Sequence, residues 1–423
     1  MITNHPVKPA VRGIRSIPYP ATEKTSLSNG VEVFLIPGTT SDAVKMDLYF
    51  EGGAWITRKP LVTHFCSEML LEGTGKYNSG QLMEKIDFLG SYVQPLAEKD
   101  LSALSLFTIE RKLSPSVKII KHLLSESNFP EENFNVLAAK KKQQFMIEQA
   151  KPKVVARNLF MEAIFGSEHP YGRMANPEDF NQVTREDLLN YYQEAYGANR
   201  MTIFLSGKYN PRTLQLLEKE FGGNDWMARK TESPLYQPKK GESSIKIEKP
   251  DAIQSAIRIG MEINNRDHED YIGMQLLNTV LGGYFGSRLM KNLREDKGFT
   301  YGIGSYIQNF KRSSLLIIST EVGRDFTNQA IEEIYKEMEV LRREMLPKAE
   351  LTRVKNYFLG NLLNNFEGPI NASDALKSLW EGGKDFSYVD KIVREIKRMT
   401  PEDLNLLANK YFDKHKMTEV VVG

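Results

Sequence analysis

The chain has 423 residues, more than one hydrophobic core comfortably serves, so two domains are expected. Its 56 Lys and Arg stand against 54 Asp and Glu, and a net charge of +2 excludes a general surface for nucleic acid or anionic membrane. The single cysteine, Cys66, excludes a disulfide framework and any multi-cysteine metal site, so a bound metal would rest on His and carboxylates.

Taken in chain order, the first 24 residues (MITNHPVKPAVRGIRSIPYPATEK) carry basic side chains but no apolar core of a signal peptide. The expected compartment is the cytoplasm, or the periplasm for a chain whose leader has been removed. A strand is expected at Val31–Ile36. A second follows, in which Val44, Met46, Leu48 and Phe50 alternate with Lys45, Asp47 and Tyr49 as in a half-buried antiparallel strand. Helices are expected over Leu61–Leu71 and over Ser79–Leu89, the latter closed by Gly90. Gly222–Glu242 is polar and aperiodic, as a linker is. Beyond it, Ile253, Ile257, Ile259, Met261 and Ile263 mark a strand, and Tyr271–Leu281 a helix ended by Gly282 and Gly283. The longest apolar run, at 314–320 (SLLIIST), is far short of the roughly 20 residues that cross a bilayer.

An internal repeat organises these elements. The segments 183–207 and 399–423 align without a gap at an offset of 216, matching at Thr184/Thr400, Glu186/Glu402, Asp187/Asp403, Leu188/Leu404, Met201/Met417, Thr202/Thr418 and Gly207/Gly423. Each copy reads as a Thr cap, an acidic first turn, a helix and a closing strand. Strands and helices mix without strict alternation, which predicts an α+β fold of two homologous domains, 1–221 and 243–423, joined by the linker 222–242.

Three segments could carry chemistry. The first is LVTHFCSEMLLEGT, with His64 and Glu68 one helical turn apart and Cys66 and Ser67 between them. It resembles the signature helix of the pitrilysin/insulinase-type (M16) metallopeptidases, in which H-x-x-E-H supplies two zinc ligands and a general base. The resemblance puts His64 on the first ligand, Ser67 on the base and Glu68 on the second ligand. It puts Gln144, with Gln143 beside it, on the third ligand, counted back from a family-like segment that runs from Asn158 to Gly166 and on through His169-Pro170-Tyr171-Gly172-Arg173. A neutral amide is a poor zinc ligand, so three of four positions are degraded and no metal is expected in this chain. Read plainly, His64 is a packed or hydrogen-bonded residue and Cys66 a small buried one.

The second segment runs from Leu281 through the glycine turn and Ser287-Arg288-Leu289 to Arg294 and Tyr301. It resembles the C-terminal signature of the same family, whose Arg–x6–Tyr pair holds substrate and stabilises the oxyanion at the zinc site of another domain or subunit. Guanidinium and phenol both donate to an oxygen that becomes negative. Taken singly, Arg294 reads as a surface ion pair and Tyr301 as a strand aromatic. Gly302 and Gly304 open a G-x-G pattern, but Ile307 breaks it, so there is no dinucleotide fingerprint. The third segment, Leu89–Lys99, matches the family's substrate-pairing edge strand, with Gln94 and Leu96 as substrate-binding residues and Pro95 removing one donor. The run Lys140–Lys142 reads as a solvated helix face.

A decayed first motif and an intact second one resemble the Arg/Tyr subunit of a heterodimeric M16 peptidase. The resemblance implies a partner that carries H-x-x-E-H and the zinc, peptide substrates, no nucleic acid and no membrane span. Two other readings stay open: a structural subunit like the core proteins of respiratory complexes, and a peptide-binding homodimer.

Overall fold

The computed structural model describes residues 13–39, 41–229, 236 and 241–423. Eleven strands are found among them: β1 (Glu23–Ser26), β2 (Glu32–Pro37), β3 (Ala43–Glu51), β4 (Tyr92–Ala97), β5 (Leu101–Ile109), β6 (Met201–Gly207), β7 (Ser244–Ile247), β8 (Gln254–Ile263), β9 (Ile303–Asn309), β10 (Ser314–Gly323) and β11 (Thr418–Val422). They form two sheets, ordered β1-β2-β6-β3-β5-β4 and β7-β11-β8-β10-β9. Each sheet is antiparallel except for one pair, β2 with β6 and β7 with β11, which run parallel. Allowing for the extra β1, the two orders are the same, and the fold is α+β with two related halves.

The terminal repeat does the same work in both halves. Thr184 and Thr400 each accept a hydrogen bond from the backbone of Asp187 and Asp403, whose carboxylates in turn accept one from the backbone N–H of the capping residue. Such a capping box satisfies two orphan donors and opens each helix at one fixed residue. The helices Arg185–Ala195 and Pro401–Tyr411 then lead into β6 and β11, which pair with β3 and β8.

A second pair of helices at the same offset, Pro152–Phe165 and Gly368–Glu381, is exchanged between the halves. The first packs on β8 and β11 of the second sheet, and the second packs on β2 and β6 of the first. Phe160, Ile164 and Phe165 are buried with Ala256, Leu315, Ile317, Val420 and Val422. Phe34, Tyr49 and Phe204 of the first sheet belong to a core that also holds Ala372 and Leu376. Each fully buried side chain contributes about 1.5–3 kcal/mol, so each helix helps to bind the two halves together.

This exchange corrects the expectation of a half-buried β3. Lys45, Asp47 and Tyr49 are buried rather than solvated, because Gly368–Glu381 covers their face. Their charges are matched there. The Lys45 ammonium donates to Asp374 at 2.7 Å, and Lys377 donates to Asp47 and lies 2.5 Å from Asp374. The predicted linker is not all free chain either. Trp226 is buried against Phe221, and Ala228 N–H donates to Asn199 at 2.7 Å; 230–235 and 237–240 lie outside the described residues.

Candidate functional site

The helix predicted at Leu61–Leu71 spans Val62–Met69, entered through Leu61 at φ 70°, a left-handed conformation that costs a branched side chain energy. It places His64 and Glu68 on one outward face, and Ser67 and Cys66 inward. Ser67 is 2% exposed, and the Cys66 thiol is fully buried and contacts the Leu188 carbonyl at 3.7 Å. Burial drives the thiol pKa well up, which leaves it an inert core residue.

Glu68 is not free. Lys141, from the helix Glu131–Gln149, sets its ammonium 2.6 Å from the Glu68 carboxylate, and Gln144 lies exposed one turn further along that helix. The reading of Lys140–Lys142 as a plain solvated face therefore fails at Lys141. Lys142 stays at the surface, where it donates to Asn181 at 2.9 Å. His64 is exposed to solvent, with the charges of Lys99, Glu68 and Lys141 acting on it. Burial, then the Lys99 ammonium, hold its pKa below the usual imidazole range, with Lys141 adding to that and Glu68 opposing. Lys99 is itself pushed down to about 8 by burial and by the Arg173 and Arg157 guanidiniums.

Zinc needs three or four anionic or imidazole donors around one point. The residues at the matching positions are one imidazole, a carboxylate bound to a lysine, a buried hydroxyl and an exposed amide. Two ammonium groups bear electrostatically on the imidazole. Among the described residues no three His, Cys, Asp or Glu side chains gather to hold a metal. This set does not fit zinc.

β4 is the outermost strand of its sheet, pairing on one side with β5, with Gln94 opposite Ser105 and Leu96 opposite Ala103. Gln94 and Leu96 are exposed and Pro95 sits between them. The segment His169–Arg173 is structural. His169 lies among Trp55, Phe165 and Tyr171, and Arg173 donates to the carbonyls of Ala54, Thr57 and Arg58 at 2.7–2.9 Å. Tyr171 O–H and Trp55 Nε1–H both donate to Asp100, which also accepts from the Lys311 backbone at 2.9 Å. Arg312 stacks over Trp55 at 3.6 Å, so the tip of the β9–β10 hairpin clasps the first half here.

Arg294 lies in a π-helical turn, Met290–Asp296, that buries Met290 and Leu293 and leaves Arg294 half-buried. π-turns widen the helix and recur at functional positions. The guanidinium sits 4.6 Å from the centre of the Phe285 ring, and among the described residues it has no ion pair. Tyr301 precedes β9, is 91% exposed and makes no hydrogen bond among the described residues. Neither residue has the plain structural role that each allows singly. No hydrogen bond, ion pair or ring contact among the described residues joins Arg294 or Tyr301 to His64 or Glu68. Phe285 and Lys141 were missed in the sequence. For Phe285 the one signal was its place in the glycine turn; for Lys141 there was none beyond the charge run.

Residues 182–358 match the family model described as Peptidase M16 inactive domain. A Bacillus subtilis protein named as an uncharacterized zinc protease is 22% identical over 406 residues, covering 92% of this chain and 95% of its own length. A Rickettsia felis protein of the same name is 22% identical over 416 residues, with coverage of 94% and 97%. Among solved structures, a peptidase M16 inactive domain from Pseudomonas fluorescens superposes with a TM-score of 0.86 at 22% identity over 95% of this chain and 98% of its own. A Helicobacter pylori protease gives 0.85 at 17% identity over 96% and 99%. At such identities the structures speak for the fold alone. Together with the paired halves, they define a two-domain α+β clamshell fold. The chain is thus similar to the M16 peptidases over nearly its whole length, and residues 182–358 match the inactive domain of that family.

Proposed function

We infer that this chain is the subunit without zinc in a two-chain M16 peptidase, inactive alone, and that Arg294 and Tyr301 act in the active site of an H-x-x-E-H partner. One observation carries the reading: Arg294 is stacked on Phe285 and Tyr301 is 91% exposed, and among the described residues neither makes an ion pair or a hydrogen bond. Surface aromatic and arginine side chains held this way are suited to a site completed by another molecule. Arg294 would hold a substrate carbonyl, and both groups would donate to its oxygen as charge develops on attack. Water activation and zinc belong to the partner, because His64, Ser67, Glu68 and Gln144 supply neither. Substrates are peptides, with Gln94 and Leu96 on the edge strand β4 as a second place of contact.

The test is reconstitution with an H-x-x-E-H paralogue of similar length. Peptide cleavage should require both chains. Arg294→Ala and Tyr301→Phe should each lower kcat by about 100-fold to 1,000-fold, the range for losing one oxyanion donor. Stoichiometric zinc and full cleavage by this chain alone would refute the proposal. Full activity of both variants in the reconstituted pair would favour a structural subunit instead.

A further inference from the structure

The turn that carries Arg294 is anchored by side chains that take no part in the proposed chemistry. Met290–Asp296 is π-helical, and one of its wide rings is closed by the Lys297 N–H, which donates to the Asn292 carbonyl at 3.1 Å. Such rings are rare in helices. A slip back to α-helical spacing would turn the side chains in and beyond the ring by up to one helical step, about 100°. The place of Arg294 therefore depends on what keeps the ring.

Both ends of the ring are tied to one carboxylate. The Asn292 side-chain amide donates to Glu333 at 2.9 Å, and the Lys297 ammonium lies 3.3 Å from Glu333. Asn292 also donates to Glu337 at 2.7 Å, one turn further along the helix Thr327–Arg343. The Glu333 side chain is mostly buried. Burial opposes its ionisation, but the hydrogen bonds from Asn292 and Lys297 hold its pKa below the usual carboxylate range, so the anchor is charged at neutral pH. Charge-assisted hydrogen bonds of this kind are the strong ones.

The pairing is also selective. Two carboxylates lie against a turn that carries an arginine, yet among the described residues neither forms an ion pair with Arg294. Asn292 engages both of them, and the guanidinium is left on the Phe285 ring. Upstream, Glu350 grips Arg288 of the Ser287-Arg288-Leu289 motif through two bonds, at 3.0 and 2.9 Å. The chain is thus fixed before the π turn as well as at its two ends.

We propose that Glu333 is a positioning residue: through Asn292 and Lys297 it holds the π ring, and in the two-chain peptidase it acts through Arg294 without touching substrate. This deepens the trans-acting reading of Arg294 and rests on it, but the hold on the ring is measured without a partner chain.

Hydrogen exchange followed by mass spectrometry on the full chain alone tests the ring. Glu333→Ala should speed exchange of the amides of residues 293–297 by about tenfold to a hundredfold, the range for losing a hydrogen bond to a charged group. Glu333→Gln keeps an acceptor for Asn292 and should recover most of the protection. Asn292→Ala should loosen the same amides and decides the matter if Glu333→Ala does not fold. In the reconstituted pair, Glu333→Ala should lower kcat by about tenfold, Glu333→Gln should largely restore it, and Glu333→Ala should add no further loss in an Arg294→Ala background. Unchanged exchange in both Glu333→Ala and Asn292→Ala overturns the proposal, and so does an equal fall in kcat with or without Arg294, the mark of a merely structural role. A costly Arg294→Ala beside a harmless Glu333→Ala overturns this inference alone. Arg294→Ala with full activity overturns the trans-acting reading, and this inference with it.

Discussion

Replacing Asp47 by Asn tests the coupling of the two halves most directly. Asp47 is 1% exposed and accepts from Ser105 and from Lys377, and its carboxylate lies 3.5 Å from the Lys45 ammonium. The four-membered network of Lys45, Lys377, Asp47 and Asp374 is neutral; the variant leaves it at +1 with two lysines largely out of water. At an effective dielectric constant of about 20, a unit pair at that separation is worth roughly 5 kcal/mol. Breaking a buried pair by removing one partner costs about 3–5 kcal/mol. We expect a loss in that range in urea unfolding followed by circular dichroism. Adding Lys377→Met restores neutrality and should recover about half of it. The pH range follows from the shifts. Burial opposes but the two lysines hold the Asp374 pKa below the carboxylate range, so its contribution is present above about pH 4 and lost as pH falls through the lowered value. For Lys45, burial also opposes, but Asp47 and Asp374 raise the pKa, so its contribution is full below about pH 10 and lost above. A loss under about 1 kcal/mol, the worth of a surface pair, would show that the network is not the buried tie described here.

Four other outcomes are expected. Phe285→Ala should weaken the hold on Arg294 by about 0.5–1 kcal/mol, a several-fold fall in kcat of the reconstituted pair at unchanged Tm, and Phe285→Trp should restore it. Gly172→Ala brings a methyl group 2.3 Å from the Gly166 carbonyl and should cost about 1–3 kcal/mol in thermal unfolding. The chain as it stands should elute from gel filtration without stoichiometric zinc, whereas Ser67→Glu, Glu68→His and Gln144→Glu combined with Lys141→Ala should retain it by elemental analysis. His169 is held down to about 4, first by burial and then by Arg312, so the unfolded chain binds its proton earlier. Stability should therefore fall by up to about 3 kcal/mol as pH drops from about 6.5 to 4, and His169→Gln should flatten that slope.

What could be read from the sequence was local. The capping Thr184 and Thr400 and the cap at Gly90 depend on neighbours in the chain, and each is where the sequence places it. What could not be read depends on distant partners. Alternation along β3 marks Lys45 and Asp47 as polar but says nothing of a lysine and an aspartate more than 300 residues away. Lys141 looks like one of three solvated lysines until the fold sets it against Glu68. The exchanged helices are the extreme case, since an apolar face in Pro152–Phe165 has the same period whichever sheet it covers.

The exchange also bears on how a peptide chamber could open. Each half is closed by the other's helix, the buried charges of β3 meet Asp374 and Lys377 of Gly368–Glu381, and the β9–β10 hairpin is clasped by Asp100 and Trp55. Parting the halves would expose two apolar helix faces and four charges together, at a cost of the order of the whole stability of a domain. On the proposed reading, the movable interface is therefore the one with the partner chain. The exposure of Tyr301 fits this: a side chain that must meet a second subunit, and leave it, is built on the outer surface of a unit that does not itself come apart.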